Sequence, residues 1–415
     1  MNSAWILSLG TELTLGQSID TNSAWLAQRL AEHGIRCSRH VTIGDDLDDI
    51  RRGVDEAARA AELVLITGGL GPTDDDLTRQ ALAEAAGTTL EPCAASLEQI
   101  RAFFTRRARE MPERNKVQAL LPVGARPLPN HWGTAPGVSI EIHGTPIYAL
   151  PGVPAEMKAM FDASVAPALA AASSGQILRS RIIRTYGMPE SELGHAIRDL
   201  MTRGRNPEVG TTASYGDIGV RINARAAGAG AVNALLDETE AEVHRRLGKY
   251  VYGRDEETLA GAVGALLVGR GATLAVAESC TGGLIGALIT DVPGSSRYFR
   301  GGILAYSNDV KESLLGVRHE TLVAHGAVSI ETAREMAAGA AARLGAAFAL
   351  SATGIAGPDG GTDAKPVGLV CIGLAGPDGV QARELRLGGE QGRTAVRERA
   401  ARGALNWLRL NLMDA

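Results

Sequence analysis

Four short segments toward the end of the chain hold residue types and spacings that could do acyl chemistry. Ala275-Val276-Ala277-Glu278-Ser279-Cys280-Thr281-Gly282-Gly283 runs from an apolar strand into a helix and presents Ser279 at the turn. The amides that follow, over Thr281, Gly282 and Gly283, are placed to hold an oxyanion. Tyr306-Ser307-Asn308-Asp309-Val310-Lys311 ends a strand at Tyr306 and sets Lys311 on the next helical turn. A lysine whose pKa is lowered by burial can act as base for a serine, with a tyrosine relaying or polarising the proton. Ala352-Thr353-Gly354-Ile355-Ala356-Gly357-Pro358-Asp359-Gly360-Gly361 closes another strand at Thr353. Its glycines, Gly354 and Gly357 among them, form a loop able to wrap a phosphate or ribose. Arg393 precedes the last helix, where a guanidinium can clamp a phosphate bidentately.

Each piece also has a plainer reading. Ser279 can simply cap a helix, and Lys311 can be a solvated lysine paired with Asp309 or Glu312. The turn is not a G-x-S-x-G elbow, and neither His319 nor His325 stands in a motif-like setting, which disfavours a Ser-His-Asp triad. The lysine count sharpens the weighing. Only Lys116, Lys158, Lys249, Lys311 and Lys365 occur among 42 basic residues, so a chain rich in permanent arginine cations keeps few deprotonatable amines.

A second constellation lies near the start. Thr67-Gly68-Gly69-Leu70-Gly71-Pro72-Thr73-Asp74-Asp75-Asp76 follows a strand directly and opens a helix. Glycines there let backbone amides approach an anion at a helix N-terminus. Three aspartates would repel a bare phosphate unless a divalent cation lies between them; capping needs only one of them. Gly10-Thr11-Glu12, Asp20-Thr21-Asn22 and Pro151-Gly152-Val153-Pro154-Ala155-Glu156 should reach the same sheet edge, because ligands of open parallel sheets lie beyond the carboxyl ends of strands. Asp20 or Asn22 could equally be an N-cap.

The elements that must position these residues alternate. Strands at Ala4–Leu9, Cys37–Ile43 and Leu63–Thr67 enclose helices at Asn22–Glu32 and Leu47–Ala60, with a further helix at Leu77–Ala86. That order implies right-handed crossovers and a mainly parallel sheet. An irregular stretch, two strands (Gly137–Ile142, Pro146–Leu150) and a helix Pro154–Ala170 complete the first module, and 171–175 (AASSG) reads as a linker. The order βαββαβ over Ile177–Tyr252 suggests a small ferredoxin-like or related α+β module, a spacer or dimerisation unit. From Glu256 a separate α/β module begins, with strands Thr273–Ala277, Arg300–Tyr306, Ala346–Ala352, Gly368–Leu374 and Arg383–Leu387 and a closing helix Thr394–Asn411.

Composition sets the bounds. The 415 residues suit two or three domains, and 42 basic against 47 acidic residues leave a net charge of −5, so no polybasic surface points to nucleic acid. No apolar run is long enough for a membrane span, and the N-terminal segment meets Glu12 too early for a signal peptide. Four scattered cysteines fit a reduced, cytoplasmic protein.

GTELTLGQSIDTN, TGGLGPTDDD and PGVPAEM together resemble the molybdopterin-binding MoaB/MogA-like fold, and more closely the N-terminal domain of the CinA (competence/damage-inducible) family. ESCTGG, AYSNDVK, ATGIAGPDGG and Arg393 are similar to the PncC family of nicotinamide mononucleotide (NMN) deamidases, the usual C-terminal half of CinA proteins. The resemblance implies an α/β chain of three parts: a MoaB/MogA-like parallel-sheet domain over 1–171, a ferredoxin-like or KH-like α+β module over 176–253, and a PncC-like α/β domain over 256–415. It implies hydrolysis of NMN to nicotinic acid mononucleotide and ammonia without a metal. Ser279 would be the nucleophile, Tyr306 and Lys311 its activators, and Thr353 and Arg393 substrate ligands. For the first module it implies a divalent-metal-dependent ADP-ribose pyrophosphatase. The matching positions are Glu12, Asp20, Asn22, Gly69, Gly71, Asp75 and Asp76, the last two holding Mg²⁺ or a transition metal. It further implies a homodimer. The competing readings are a non-enzymatic competence or recombination factor and a molybdopterin-binding protein.

Overall fold

The computed structural model describes residues 3–172 and 176–414. The chain packs as two compact units, Met1–Arg179 with Ala224–Leu235, and Ser180–Asn223 with Leu236–Ala415.

In the first unit a six-stranded sheet runs in the order Arg36–Ile43, Ser3–Leu9, Val64–Thr67, Thr145–Leu150, Gly137–Ile142 and Arg126–Leu128. The first four strands are mutually parallel and the last two antiparallel. Ser3–Leu9 is buried along almost its whole length, as a strand covered on both faces must be. Trp5, Leu7 and Leu9 face Ile50 and Val54 of the helix Leu47–Ala60, while Ala4 and Ile6 face Leu26, Leu30 and Phe161. The period of two in the strand thus feeds two separate cores.

The second unit holds a five-stranded mixed sheet in the order Phe299–Leu304, Leu274–Glu278, Phe348–Gly354, Leu369–Gly376 and Gly379–Arg386. Leu274–Glu278 is parallel to both neighbours, and the last two strands turn back as antiparallel hairpins. The closing helix Gly392–Asp414 packs Val396, Ala400, Ala404 and Leu408 into the core beside Val263 and Leu267 of the helix Leu259–Gly269. The middle sheet runs Glu208–Ser214, Asp217–Ala227, Gln176–Tyr186, Val251–Arg254, which in chain order is 2-3-1-4, the arrangement of a ferredoxin-like βαββαβ sheet. Tyr186 donates its hydroxyl hydrogen to Arg399 O, and Arg409 donates to Val251 O, so this sheet and the closing helix are directly joined.

Several expected bounds move. The helix after Ser279 starts at Leu284, because Gly282 and Gly283 take left-handed conformations (φ 62° and 92°) that extend the turn. The strand before Tyr306 ends at Leu304, leaving Tyr306 beyond it. The helix expected over Glu190–Met201 stops at Ala196. The helix expected over Pro154–Ala170 is interrupted by a π-helical turn at Phe161–Val165 and then runs to Ala172, which absorbs the first two residues of the expected linker; 173–175 lie outside the described residues. The stretch read as irregular contains a helix, Ala94–Thr105. The helix expected over Leu77–Ala86 spans Thr78–Ala85.

Candidate functional sites

Leu274–Glu278 has its chain-order successors on opposite sides, Phe299–Leu304 on one and Phe348–Gly354 on the other. The crevice beyond the carboxyl ends of such strands is where open α/β sheets bind ligands. Ser279 is the first residue past that strand, and its amide donates to Ala352 O at 2.9 Å, pinning the turn to the neighbouring strand. Lys311 enters from the helix Asn308–Leu315 and is 1% exposed. Its Nζ donates to Ala305 O (2.8 Å) and Tyr306 O (3.0 Å) and lies 3.2 Å from Ser279 Oγ. Burial pulls the amine's pKa below the ordinary lysine value, against the opposing pull of Cys280 and Asp309.

A cavity of about 210 Å³ opens over the pair, walled by Ser279, Cys280, Tyr306, Lys311, Ala327, Val328, Thr353, Gly354, Ala356 and Arg393. Tyr306 serves Lys311 through its main-chain oxygen; its side chain is 66% exposed, and the phenol stands 3.4 Å from Arg393 Nη2 at the mouth. Arg393 also donates to Gly357 O at 2.9 Å, and Thr353 Oγ1 donates to Ala327 O at 2.7 Å. Gly357 needs its glycine: φ is +82°, and a Cβ there would meet Val367 at 2.6 Å. Lys365, another of the five lysines, donates to His325 O and Val328 O and so staples the glycine-rich loop to the cavity wall.

Thr281, Gly282 and Gly283 form the turn behind the serine rather than the cavity wall. Two side chains that the sequence reading passed over hold that turn. Glu278, 1% exposed, accepts hydrogen bonds from the amides of Gly283 (3.0 Å), Ile285 (3.0 Å) and Gly286 (2.8 Å). Arg397 donates from Nε and Nη2 to Thr281 O. The spacing Arg393, Arg397 on one helix face was the available signal for the latter.

In the first unit the order of strands also reverses, about Ser3–Leu9, and a cavity of about 430 Å³ lies at that edge. Gly10, Glu12, Asp45, Gly69, Gly71, Asp75, Asp76, Gly152 and Glu156 line it. The aspartates differ in what they do. Asp76 accepts from Gly71 N (2.7 Å), Thr73 N (2.8 Å) and Thr73 Oγ1, so both its oxygens tie the glycine loop together. Asp75 is exposed. Arg79, 5% exposed, donates to Leu70 O and Gly71 O beneath the same loop, and burial lowers its pKa to about 10 against the pull of Asp76. Asp45, absent from the sequence reading, accepts from Thr11 N, and Glu156 accepts from Asn130 Nδ2.

Asp20 and Asn22 sit behind the cavity. Asp20 caps the helix Thr21–Glu32; burial pushes its pKa up, but bonds from the Ser23 hydroxyl and amide prevail and lower it. Asn22 Nδ2 donates to Thr67 Oγ1 and Gly152 O, bracing the wall that Gly152 provides, while its Oδ1 is buried with no partner.

Among the described residues no three His, Cys, Asp or Glu side chains gather into a metal-holding group. The donor set fits a magnesium-like ion held by one or two carboxylates with the remaining positions from substrate oxygens and water. Asp75 and Glu12 are the exposed carboxylates at that cavity suited to the role, whereas both oxygens of Asp76 are occupied by its own loop. No helix among the described residues is long and apolar enough to cross a membrane, and all four cysteines are free thiols.

Three family models match the chain: "CinA C-terminal domain" over residues 256–412, "Probable molybdopterin binding domain" over 5–171, and "Damage-inducible protein CinA KH domain" over 180–253. A chain named competence-damage inducible protein from Symbiobacterium thermophilum is 47% identical over 99% of both chains. A CinA-like protein from Gloeobacter violaceus is 47% identical over 99% of this chain and 97% of its own. Among solved structures, a competence/damage inducible protein from Agrobacterium tumefaciens is 44% identical, spanning 37% of this chain and 93% of its own with a TM-score of 0.36.

Proposed function

The chain belongs to the CinA (competence/damage-inducible) family, and from that premise we propose that its C-terminal cavity hydrolyses the carboxamide of NMN to nicotinic acid mononucleotide and ammonia. The observation that carries the reading is the buried Lys311 Nζ 3.2 Å from Ser279 Oγ, with two carbonyls already taking two of its hydrogens. A neutral amine so placed has its lone pair directed at the serine hydroxyl. The Ser279 proton passes to Lys311 Nζ as Oγ bonds to the amide carbon, and the charge gathers on the former carbonyl oxygen. Collapse of that intermediate breaks the C–N bond, and Lys311 returns the proton to the departing ammonia. Water, deprotonated by the same amine, then releases the acid and restores Ser279. Arg393 and the loop it braces are positioned to take the substrate phosphate, and Tyr306 to cover the mouth. Release of ammonia from NMN by the wild-type chain and its loss in Ser279→Ala test the assignment.

For the N-terminal cavity the reading is divalent-metal-dependent hydrolysis of ADP-ribose at its pyrophosphate. A bound cation would neutralise the pyrophosphate and activate water there. Glycine-rich amides at Gly69 and Gly71, with Asp75 and Glu12 at the same edge, support it. A pterin ligand is the second reading, favoured by the match of residues 5–171 to a molybdopterin-binding model. Both substrates are fragments of broken pyridine nucleotides, which gives the two activities a common purpose in a cytoplasmic homodimer.

A further inference from the structure

We propose that Glu278 is a positioning residue that commits the oxyanion-binding site beside Ser279 to the amide of Cys280. The inference rests on the serine amidohydrolase reading of this cavity and specifies where its transition-state charge is held.

A helix that begins just after a nucleophile normally offers its first amides to an incoming negative charge. Here those amides are already taken. Gly283, Ile285 and Gly286 all donate to the Glu278 carboxylate. Leu284 N donates to Thr281 O, Gly282 N to Ser279 O, and Ser279 N to Ala352 O. Among the described residues, the amides left in the turn without an oxygen acceptor are those of Cys280 and Thr281, and of these two residues Cys280 is the one that walls the cavity. The amide just after the nucleophile is also the one that serves in serine hydrolases built on a strand-to-helix turn.

Glu278 is placed to enforce this. Its side chain is sealed from solvent and sits one residue before the nucleophile, where an acid would be costly without partners. Three amides from one helix end satisfy it. The carboxylate therefore fixes the start of the helix and holds Gly282 and Gly283 in their left-handed conformations. Arg397 grips Thr281 O from the other side, which fixes the peptide plane between Thr281 and Gly282 through its carbonyl end.

The test uses the full chain and two readouts. Glu278→Gln keeps the shape but offers an NH2 group to the amides it should accept from. We expect kcat for ammonia release from NMN to fall about 100-fold or more. KM should stay within roughly threefold, and the ascending limb of the pH–rate profile should not move, because Ser279 and Lys311 are untouched. In parallel, hydrogen exchange at Gly283, Ile285 and Gly286 should accelerate. For the wild-type chain, a pyridine boronic acid that forms a tetrahedral adduct on Ser279 should shift the NMR amide signal of Cys280 and leave those of Gly283, Ile285 and Gly286 in place. This arm stands even if the variant fails to fold. A wild-type rate in Glu278→Gln, or adduct shifts at Gly283 and Ile285 instead, overturns the inference. Lack of NMN turnover by the wild-type chain would instead strike the deamidase reading, and the exchange data would still decide what Glu278 holds.

Discussion

Lys311 Nζ stands 3.2 Å from Ser279 Oγ with Ala305 O and Tyr306 O at its back, in a wall that leaves the amine 1% exposed. A solvated surface lysine, the plainer reading of its sequence, is thereby excluded. Neither Asp309 nor Glu312 pairs with it; Glu312 meets His319 instead.

The pH dependence follows from that burial. Because Lys311 titrates below the ordinary lysine value of 10.5, kcat/KM should rise with pH and level off below that value as the amine loses its proton. The linkage has a definite sign: between the folded and unfolded values the unfolded chain binds the extra proton, so Lys311's contribution to stability increases with pH across that window. Lys311→Met should abolish the ascending limb along with most of the rate. A limb that persists unchanged in Lys311→Met would assign the base to another group.

Tyr306 divides into two functions that one variant separates. Its main-chain oxygen holds Lys311, while its phenol, among the described residues, meets Arg393 at the mouth. Tyr306→Phe should therefore keep kcat within about threefold and raise KM by a similar factor, the signature of lost binding rather than lost chemistry. A collapse of kcat would restore the phenol as a proton relay.

Arg393→Lys should raise KM for NMN roughly tenfold or more, since a point charge replaces a planar fork that already bridges Gly357 O and the phenol. The discriminating comparison is nicotinamide riboside, which has no phosphate: any residual turnover of it should be indifferent to the change.

The neighbouring aspartates should behave differently. Asp76→Asn puts an amino group in place of one of the two oxygens that accept from Gly71 N and Thr73 N, and should cost about 1–2 kcal/mol, read as a lower unfolding midpoint of the N-terminal unit. Asp75→Asn should leave that midpoint alone and raise the Mg²⁺ concentration that ADP-ribose hydrolysis requires. Equal thermal effects from both would refute the division of labour.

The fold was legible where periodicity was strong. Buried runs such as Ala4–Leu9 and Leu63–Thr67, alternating with helices, announce a parallel sheet, and the order βαββαβ survives as the 2-3-1-4 middle sheet. The helix Ala94–Thr105 escapes a reading by pattern because its apolar residues do not form a clean stripe; only Ser96 and Ile100 are buried in it. At the sites, the motifs that carry the family resemblance pointed to Ser279, Lys311, Thr353 and Arg393, which one cavity does bring together. Side-chain direction is what spacing hides. Asp75 and Asp76 are adjacent letters, yet one faces solvent and the other knots its loop. Glu278 and Ser279 are likewise adjacent, and the turn sends one inward to the helix end and the other to the cavity. Asp20 illustrates the converse, since the capping role that local sequence left open beside a ligand role is the one the backbone uses.

The most direct measurement is release of ammonia and nicotinic acid mononucleotide from NMN by the full chain, by Ser279→Ala, and by the full chain in EDTA. The account predicts turnover that survives EDTA and disappears in Ser279→Ala. Turnover retained by Ser279→Ala, or no turnover by the wild-type chain, would contradict it.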